Sequence, residues 1–164
     1  MPFELPDAVI PARPSFAEHC AIRFGMDYVL RLIHETSMAF DGDLVSGLIF
    51  MAAVRANGQH LADPVQQDFS STVGVIPDDA RRPVSVKSLS DSLNLPYETV
   101  RRRLAKLCAQ GWCRRVAGQG YVVPEEVLLR VDSLGVMSRN YSNFQLMLAR
   151  VQRAGLDVSA TTAS

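Results

Sequence analysis

Residues 84–112 read VSVKSLSDSLNLPYETVRRRLAKLCAQGW, and this stretch decides the fold. Val84-Ser85-Val86 is predicted to form a short strand because β-branched residues alternate with a polar one. Ser88 is suited to cap a short helix over Leu89–Leu93. The turn residues 94–96 then end that helix, so the pattern predicts a strand, a helix and a tight turn in succession.

A second helix is predicted over Tyr97–Gln110. Pro96 stands at its entrance and Gly111 lies just beyond its end, which is the usual distribution of start and stop signals around a helix. Trp112–Val116 and Gly120–Val123 then alternate as two strands, joined by a turn that contains glycine. The whole stretch therefore predicts two short helices followed by a β-hairpin.

Charge is concentrated in the same part of the chain. Arg81–Arg115 holds nine basic and two acidic residues, a net charge of +7, whereas residues 1–80 carry four basic and eleven acidic residues, a net charge of −7. The formal net charge of the protein is nevertheless zero. This asymmetry favours contact between the basic segment and a polyanion such as DNA.

The helix Tyr97–Gln110 is amphipathic. Val100, Leu104, Leu107 and Cys108 form one apolar stripe at helical spacing. Its outer side can enter the major groove of DNA, where arginine grips guanine or phosphate with two parallel hydrogen bonds. The predicted DNA-binding residues are Lys87, Ser88, Tyr97, Glu98, Thr99, Arg101, Arg102, Arg103, Lys106, Arg114, Arg115 and Gln119. Among them the arginines and Lys87 are expected mainly at phosphates, and Tyr97, Glu98, Thr99 and Arg101 or Arg102 at bases.

Residues 84–123 resemble the DNA-binding domain of bacterial winged helix-turn-helix regulators of the GntR type. The resemblance implies a recognition helix beginning near Tyr97, an arginine after the Thr99-Val100 pair, matched by Arg101, and a Gly-x-Gly wing at Gly118–Gly120. It covers about 40 residues. The chain departs from the family at Tyr97, where a basic residue is usual, and it has no room for a large effector domain.

The rest of the chain is predicted to be helical around this domain. Phe16–Phe40 and Met137–Val151 carry apolar stripes that exceed what a small core can cover, so a homodimer built by these helices is expected. Leu44–Asn57 is apolar nearly all round, so it is expected to be buried beneath the winged helix, in a subunit interface, or both. The predicted segments are a flexible tail (1–14), N-terminal helices (15–60), an irregular connection (61–83), the winged helix (84–123), C-terminal helices (124–156) and a second flexible tail (157–164).

Several other classes of protein are not expected. The three cysteines form no CxxC pair, which favours a reducing, intracellular compartment. No signal peptide is visible, and the most apolar run, Leu44–Val54, is far shorter than the roughly 20 residues of a membrane-spanning helix. No phosphate-binding loop, nucleophile elbow or metal motif occurs. The expectation is a soluble, cytoplasmic protein without enzymatic activity, cofactor, metal or membrane partner.

The sequence thus predicts a mainly α protein with a small β-hairpin, a winged helix-turn-helix with helical extensions at both ends. Its predicted function is sequence-specific transcriptional regulation as a homodimer on double-stranded DNA. One alternative is a winged helix that binds another protein and not DNA. A second is a regulator that senses a small molecule in a pocket between the N-terminal helices and the wing, although no feature indicates an effector.

Overall fold

The computed structural model describes residues 14–60 and 76–156, without the side chains of residues 131–134. The described chain is mainly helical and contains a two-stranded antiparallel sheet, which confirms the predicted combination of helices and a small hairpin. A single 3-10 turn covers Asp78–Ala80. The other elements are α1 (Phe16–Ala39), α2 (Leu44–Gly58), α3 (Val86–Leu93), α4 (Tyr97–Ala109), β1 (Arg114–Val116), β2 (Gly120–Val122), α5 (Glu125–Leu129) and α6 (Val131–Arg153).

The chain divides into two compact units. The helix-pair unit holds the described residues of 1–32 and 139–164, and the hairpin unit holds those of 33–138. The division falls inside α1 and α6, so it does not follow the predicted segment 15–60. Residues 1–13, 61–75 and 157–164, which include most of both predicted tails and of the predicted connection, lie outside the described residues.

The helix-pair unit consists of the N-terminal part of α1 and the C-terminal part of α6, which run antiparallel. Tyr28 packs edge-on against Phe144 with ring centroids 5.8 Å apart. The preceding residue, Asp27, accepts a hydrogen bond of 2.9 Å from Arg150, whose guanidinium also lies over the ring of Phe24, one turn earlier in α1. One apolar stripe of α1 is therefore used for contact with α6.

The core of the hairpin unit lies between α2, α3, α4 and β2. Helix α2 contacts the other three elements, and α3 also contacts α4. Ile49 and Ala53 of α2 are almost completely buried, so one side of this helix packs against its neighbours. The buried core residues are Ile49, Ala53, Val84, Leu89, Val100, Leu104, Leu107, Cys113, Val123, Val127 and Leu128. The predicted stripe of α4 thus faces this core.

Helix α3 begins earlier than the sequence predicts. Ser85, in an extended conformation, is its N-cap and accepts a 3.0 Å hydrogen bond from the backbone N–H of Ser88. Ser88 lies inside the first turn, so its prediction as the cap was wrong. Val86 is helical, and of the predicted strand Val84–Val86 only Val84 pairs, in an isolated antiparallel bridge with Tyr121.

The hairpin is shorter than predicted. β1 and β2 pair Arg114 with Val122 and Val116 with Gly120, and the ladder continues to Val84 through two hydrogen bonds with Tyr121. Gly120 has φ +129°, and a Cβ at this position would collide with the backbone carbonyl of Val84. Only glycine therefore allows the chain of Val84 to approach β2 so closely.

Trp112 lies outside the strand to which the sequence assigned it. Its ring packs against Phe40 and Phe50, with centroids 5.1 Å and 5.5 Å away, and the guanidinium of Arg130 lies over it. This aromatic cluster draws the residue into the packing around the core, so the strand begins only at Arg114.

A buried amide joins α2 to the hairpin. Asn57 is completely buried, and its Nδ2 donates to the carbonyls of Arg82 (2.8 Å) and Tyr121 (3.1 Å) while its Oδ1 accepts from the N–H of Val123 (2.9 Å). The backbone adds a bond from the N–H of Arg82 to the carbonyl of Asn57. One side chain thereby fixes both chain segments that meet at Val84 and β2.

Replacing Asn57 by alanine should lower the free energy of unfolding by about 3 kcal/mol, because a buried N–H and two carbonyls lose their partner. Urea denaturation monitored by Trp112 fluorescence measures this change. Gln59→Ala, an exposed position just beyond the same helix, is the control and should change stability by less than about 0.5 kcal/mol. A loss below about 1 kcal/mol for Asn57→Ala would show that this amide does not hold the hairpin.

Candidate nucleic-acid interface

The turn between α3 and α4 sets the position of the first turn of α4. Asn94 ends α3 in the left-handed conformation (φ 50°). The N–H of Leu95 donates to the carbonyl of Ser90 (3.1 Å), and the Ser90 hydroxyl donates back to the carbonyl of Leu95 (2.6 Å). These two bonds brace the turn, so the start of α4 is held in a defined direction relative to α3.

The outer side of α4 is exposed, while its apolar stripe is buried. Val100, Leu104 and Leu107 are fully buried. Tyr97 is 53% exposed at the first position of the helix, and Arg102 is exposed one turn further on. Arg102 makes no hydrogen bond or ion pair to any residue that the structure describes. The predicted recognition surface is thus open at the start of the helix.

Arg101 is bound by a carboxylate of its own helix. Its Nε and Nη2 donate to the two carboxylate oxygens of Glu98 at 2.8 Å and 2.6 Å. These bonds lower the pKa of Glu98, and the same bonds raise the pKa of Arg101. Both side chains are more than half exposed, and exposed pairs of this kind add little to stability, so a stronger anion can replace Glu98.

Arg103 and Lys106 lie on the side of α4 that faces α2. Both donate a hydrogen bond to the carboxylate of Asp43, and the bond from Lys106 is 3.0 Å long. Asp43 is the N-cap of α2 and also accepts bonds from the backbone N–H and hydroxyl of Ser46. Its side chain is only 14% exposed. These two predicted DNA-binding residues are therefore engaged in a contact that joins α4 to α2.

The charge of Asp43 is stabilised in this cluster. Burial raises its pKa, but the hydrogen bonds from Lys106 and Ser46 and the charge of Arg103 outweigh burial, so the pKa of Asp43 lies below its usual range. A carboxylate with a depressed pKa contributes stability above its unfolded pKa and loses it as the pH falls through the folded pKa. The α2–α4 contact should accordingly weaken in acid.

The two arginines of β1 lie on opposite faces of the hairpin, as consecutive residues of a strand must. Arg115 is paired across the ladder with Tyr121, whose proximity contributes to raising the pKa of Arg101. Arg114 is on the other face, where Nη2 lies 3.5 Å from the carboxylate of Asp78. Arg115 is exposed and, like Arg102, has no ion pair within the described part of the chain. Arg115 is thus the hairpin arginine that is open to an external anion.

The remaining predicted site residues lie at the edges of this surface. Lys87 is exposed and pairs with Asp91 one turn along α3 at 2.9 Å. The Ser88 hydroxyl is 3.0 Å from that of Ser85. Thr99 is half-buried in the first turn of α4, and Gln119 is exposed in the hairpin turn.

Arg81 belongs to the basic segment by sequence but not by position. It is 7% exposed, and its guanidinium donates to the carbonyls of Val123 (3.1 Å) and Ile76 (2.5 Å) and lies 3.5 Å from Asp78. Burial lowers the pKa of Arg81, and the nearby charges of Asp78 and Glu125 oppose that shift. This arginine holds backbone in place, so one charge of the segment is withdrawn from the surface.

The described residues offer little for other kinds of site. A groove of about 330 Å³ lies between α2 and α3, lined by Leu48, Met51 and Leu89 among others, and not at the position predicted for an effector pocket. The described residues contain no group of three His, Cys, Asp or Glu side chains that could hold a metal ion. No single helix between residues 14 and 156, leaving out 61–75, combines the length and apolar composition needed to span a bilayer.

Comparison with known proteins gives no relative. No protein-family model, curated protein or solved structure matches the chain. The chemistry of the site is therefore interpreted from its own geometry.

Replacing Asp43 by asparagine should lower the free energy of unfolding by about 1 kcal/mol at neutral pH, because asparagine keeps the cap but loses the charge that binds Arg103 and Lys106. The difference from the unmodified protein should shrink as the pH falls below about 4, where the carboxylate becomes protonated. Urea denaturation over a series of pH values measures it.

Asp41→Asn is the matched control, since Asp41 is an exposed carboxylate two residues away without an ion pair to any described residue. It should show little pH-dependent difference. An Asp43→Asn deficit that stays constant between about pH 3 and pH 7 would contradict the charge cluster.

Proposed function

We propose that the hairpin unit is a winged helix that binds double-stranded DNA, and that the protein is a homodimeric transcriptional regulator. The arrangement of α2, α3 and α4 followed by a hairpin, with Val84 paired at the edge of β2, is that expected of a winged helix. In this proposal α4 is the recognition helix in the major groove, and the hairpin is the wing that contacts the backbone or minor groove.

The observation that carries the proposal is the exposed start of α4 together with an exposed hairpin arginine, Arg115, that makes no ion pair to a described residue. Tyr97 and Arg102 are open to solvent, Arg101 is held only by an exposed carboxylate, and Arg115 lies on the Tyr121 face of β1. Aromatic and guanidinium groups of this kind contact bases and phosphates. In this account Tyr97, Glu98 and Thr99 contribute to base selection, and the cations fix the register.

The number of phosphate contacts should be smaller than the charge of the basic segment implies. Arg103 and Lys106 bind Asp43, Arg81 is buried, and Arg114 is directed at Asp78. The other five cations of the segment are exposed: Arg82, Lys87, Arg101, Arg102 and Arg115. All of these except Arg82 are among the predicted DNA-binding residues. With about four phosphates neutralised per protomer, the logarithm of the binding constant should fall with the logarithm of salt concentration with a slope of about −4.

The helix-pair unit supports the proposed homodimer. Besides the stripe that contacts α6, α1 carries a second apolar stripe whose side chains are 48–64% exposed. Its members, Ile22, Met26, Val29 and Leu30, stand at i, i+4, i+7 and i+8, the spacing of one apolar face of a helix. On α6, Tyr141 and Phe144 are exposed at a similar spacing. A second copy of the same unit would bury these stripes in a four-helix interface, as expected for a two-fold dimer.

A two-fold dimer also fits the proposed DNA contact. Two recognition helices related by a two-fold axis bind two half-sites of a palindrome, spaced by about one helical turn or a multiple of it. The homodimer therefore predicts an operator with inverted symmetry.

Arg102→Ala and Arg115→Ala should each weaken binding to a mixed-sequence duplex on the order of tenfold at low salt and reduce the salt slope by about one. Fluorescence anisotropy with a labelled duplex, titrated at several salt concentrations, measures both quantities. Arg153→Ala removes the same charge from the helix-pair unit and should bind like the unmodified protein. Equal affinity of all three variants would contradict the assignment, and absence of salt-dependent binding would favour a protein partner over DNA.

Met26→Glu should convert the dimer into a monomer, because it places a charge in the exposed apolar stripe of α1. Sedimentation velocity gives the mass in solution, and circular dichroism checks that the variant keeps its helices. Gln152→Glu adds the same charge at an exposed polar position of α6 and should remain dimeric. An unmodified protein that sediments as a monomer, or a dimer unaffected by Met26→Glu, would overturn this interface.

A further inference from the structure

Two thiols meet where α4 ends and the hairpin begins. Cys108 lies in the last turn of α4, Cys113 immediately precedes β1, and their Sγ atoms are 3.0 Å apart. Both cysteines are free. A disulfide needs an S–S distance of about 2.05 Å, so the bond requires an approach of about 1 Å.

The turn between these cysteines is held by its own backbone. Gly111 is left-handed (φ 75°), and its N–H donates to the carbonyl of Cys108 (3.0 Å). The N–H of Trp112 donates to the carbonyl of Leu107 (2.9 Å). This pair of bonds is the usual closure of a helix with a glycine after its last turn. The chain reverses there, and the reversal brings the two sulfurs together.

The two sulfurs differ in their exposure. Cys113 is 6% exposed, and its Sγ lies 3.8 Å from the carbonyl of Leu104, whereas Cys108 is half-buried. Cys113 also borders an open cavity of about 500 Å³, lined by Arg114, Pro124 and Glu125 among others. Because Cys108 is only half-buried, a small, polar oxidant can reach its sulfur without unfolding of the core.

We propose that Cys108 and Cys113 form a redox-active dithiol, which a peroxide oxidises to an intramolecular disulfide joining α4 to the hairpin. The Cys108 sulfur first attacks one oxygen of hydrogen peroxide, the O–O bond breaks, and a sulfenic acid and water are formed. The Cys113 sulfur then attacks the Cys108 sulfur and expels the second water. Two thiols and one peroxide give one disulfide and two waters, and a thiol reductant reverses the change.

The order of these two steps follows from the surroundings of each thiol. Burial raises the pKa of Cys113, and the hydrogen bond with Cys108 raises it further. A thiol with a raised pKa is a poor first nucleophile, because the thiolate is the reactive form. The half-buried Cys108 is accordingly the sulfur that meets the oxidant, and the neighbouring Cys113 resolves the product.

The disulfide would close a short loop around Gly111 and fix the end of α4 to the residue before β1. These are the elements that form the proposed DNA-binding surface, yet formation of the disulfide does not depend on DNA binding. The dithiol can therefore be tested separately from the proposed function.

The test uses the full chain with Cys20→Ser, which removes the third cysteine. The protein is treated with hydrogen peroxide, denatured and alkylated. Mass spectrometry should then show that both thiols can no longer be alkylated and that no disulfide links two chains. Dithiothreitol should restore both thiols. The thermal midpoint should rise on oxidation, because the native geometry already holds the two sulfurs close together. Two thiols that stay alkylatable, a disulfide between chains, or a lower thermal midpoint would each overturn the proposal.

Two variants in the same background identify the roles of the sulfurs. With Cys108→Ser, the remaining buried thiol should stay reduced under the conditions that oxidise the pair. With Cys113→Ser, oxidation should stop at a sulfenic acid on Cys108, which dimedone traps. Circular dichroism checks the fold of this second variant, because its mutated position is buried. Trapping on Cys113 instead of Cys108 would reverse the proposed order and contradict it.

Discussion

The hairpin unit depends on one buried amide. Asn57 satisfies backbone groups of Arg82, Tyr121 and Val123 at a place that is buried from solvent. Arg81 completes the arrangement by donating to the carbonyl of Val123, so both backbone polar groups of this buried residue are bound by side chains. Buried backbone groups without partners are costly, and the chain beyond β2 can therefore lie in the core only while these two side chains hold it.

This constraint also sets the geometry of the proposed interface. The hairpin is attached to α2 through Asn57, and α4 is attached to α2 through its buried stripe and through Asp43. Both parts of the interface are thus positioned by the same helix. The cations that make these internal contacts, Arg103 and Lys106, remain partly exposed, whereas Arg102 and Arg115 are exposed and make no ion pair to a described residue. Some basic residues of the segment therefore hold the fold together, and others are available for the proposed contact with DNA.

Local sequence patterns predicted the helices and the hairpin well, but they did not predict contacts between residues far apart in the chain. The spacing of Val100, Leu104 and Leu107 and the stop signal at Gly111 define α4 because both act within a few turns of helix. Ser85 and Ser88 are both good caps, and only the backbone geometry distinguishes them. The pairing of Asp43 with Arg103 spans 60 residues, and Asn57 reaches 66 residues to Val123. Nothing in the local pattern marks such partners, so the internal role of some basic residues could not be read from charge alone.

The central claim is that the start of α4 and the Arg115 face of the hairpin bind duplex DNA as a two-fold pair. Selection of bound duplexes from a random pool, followed by sequencing, tests this claim most directly because the pool presumes no operator. An inverted repeat whose half-sites lie about one helical turn or a multiple apart should be enriched. A pool that stays random after repeated rounds, or enrichment of a single asymmetric site by a protein that is dimeric in solution, would contradict this claim.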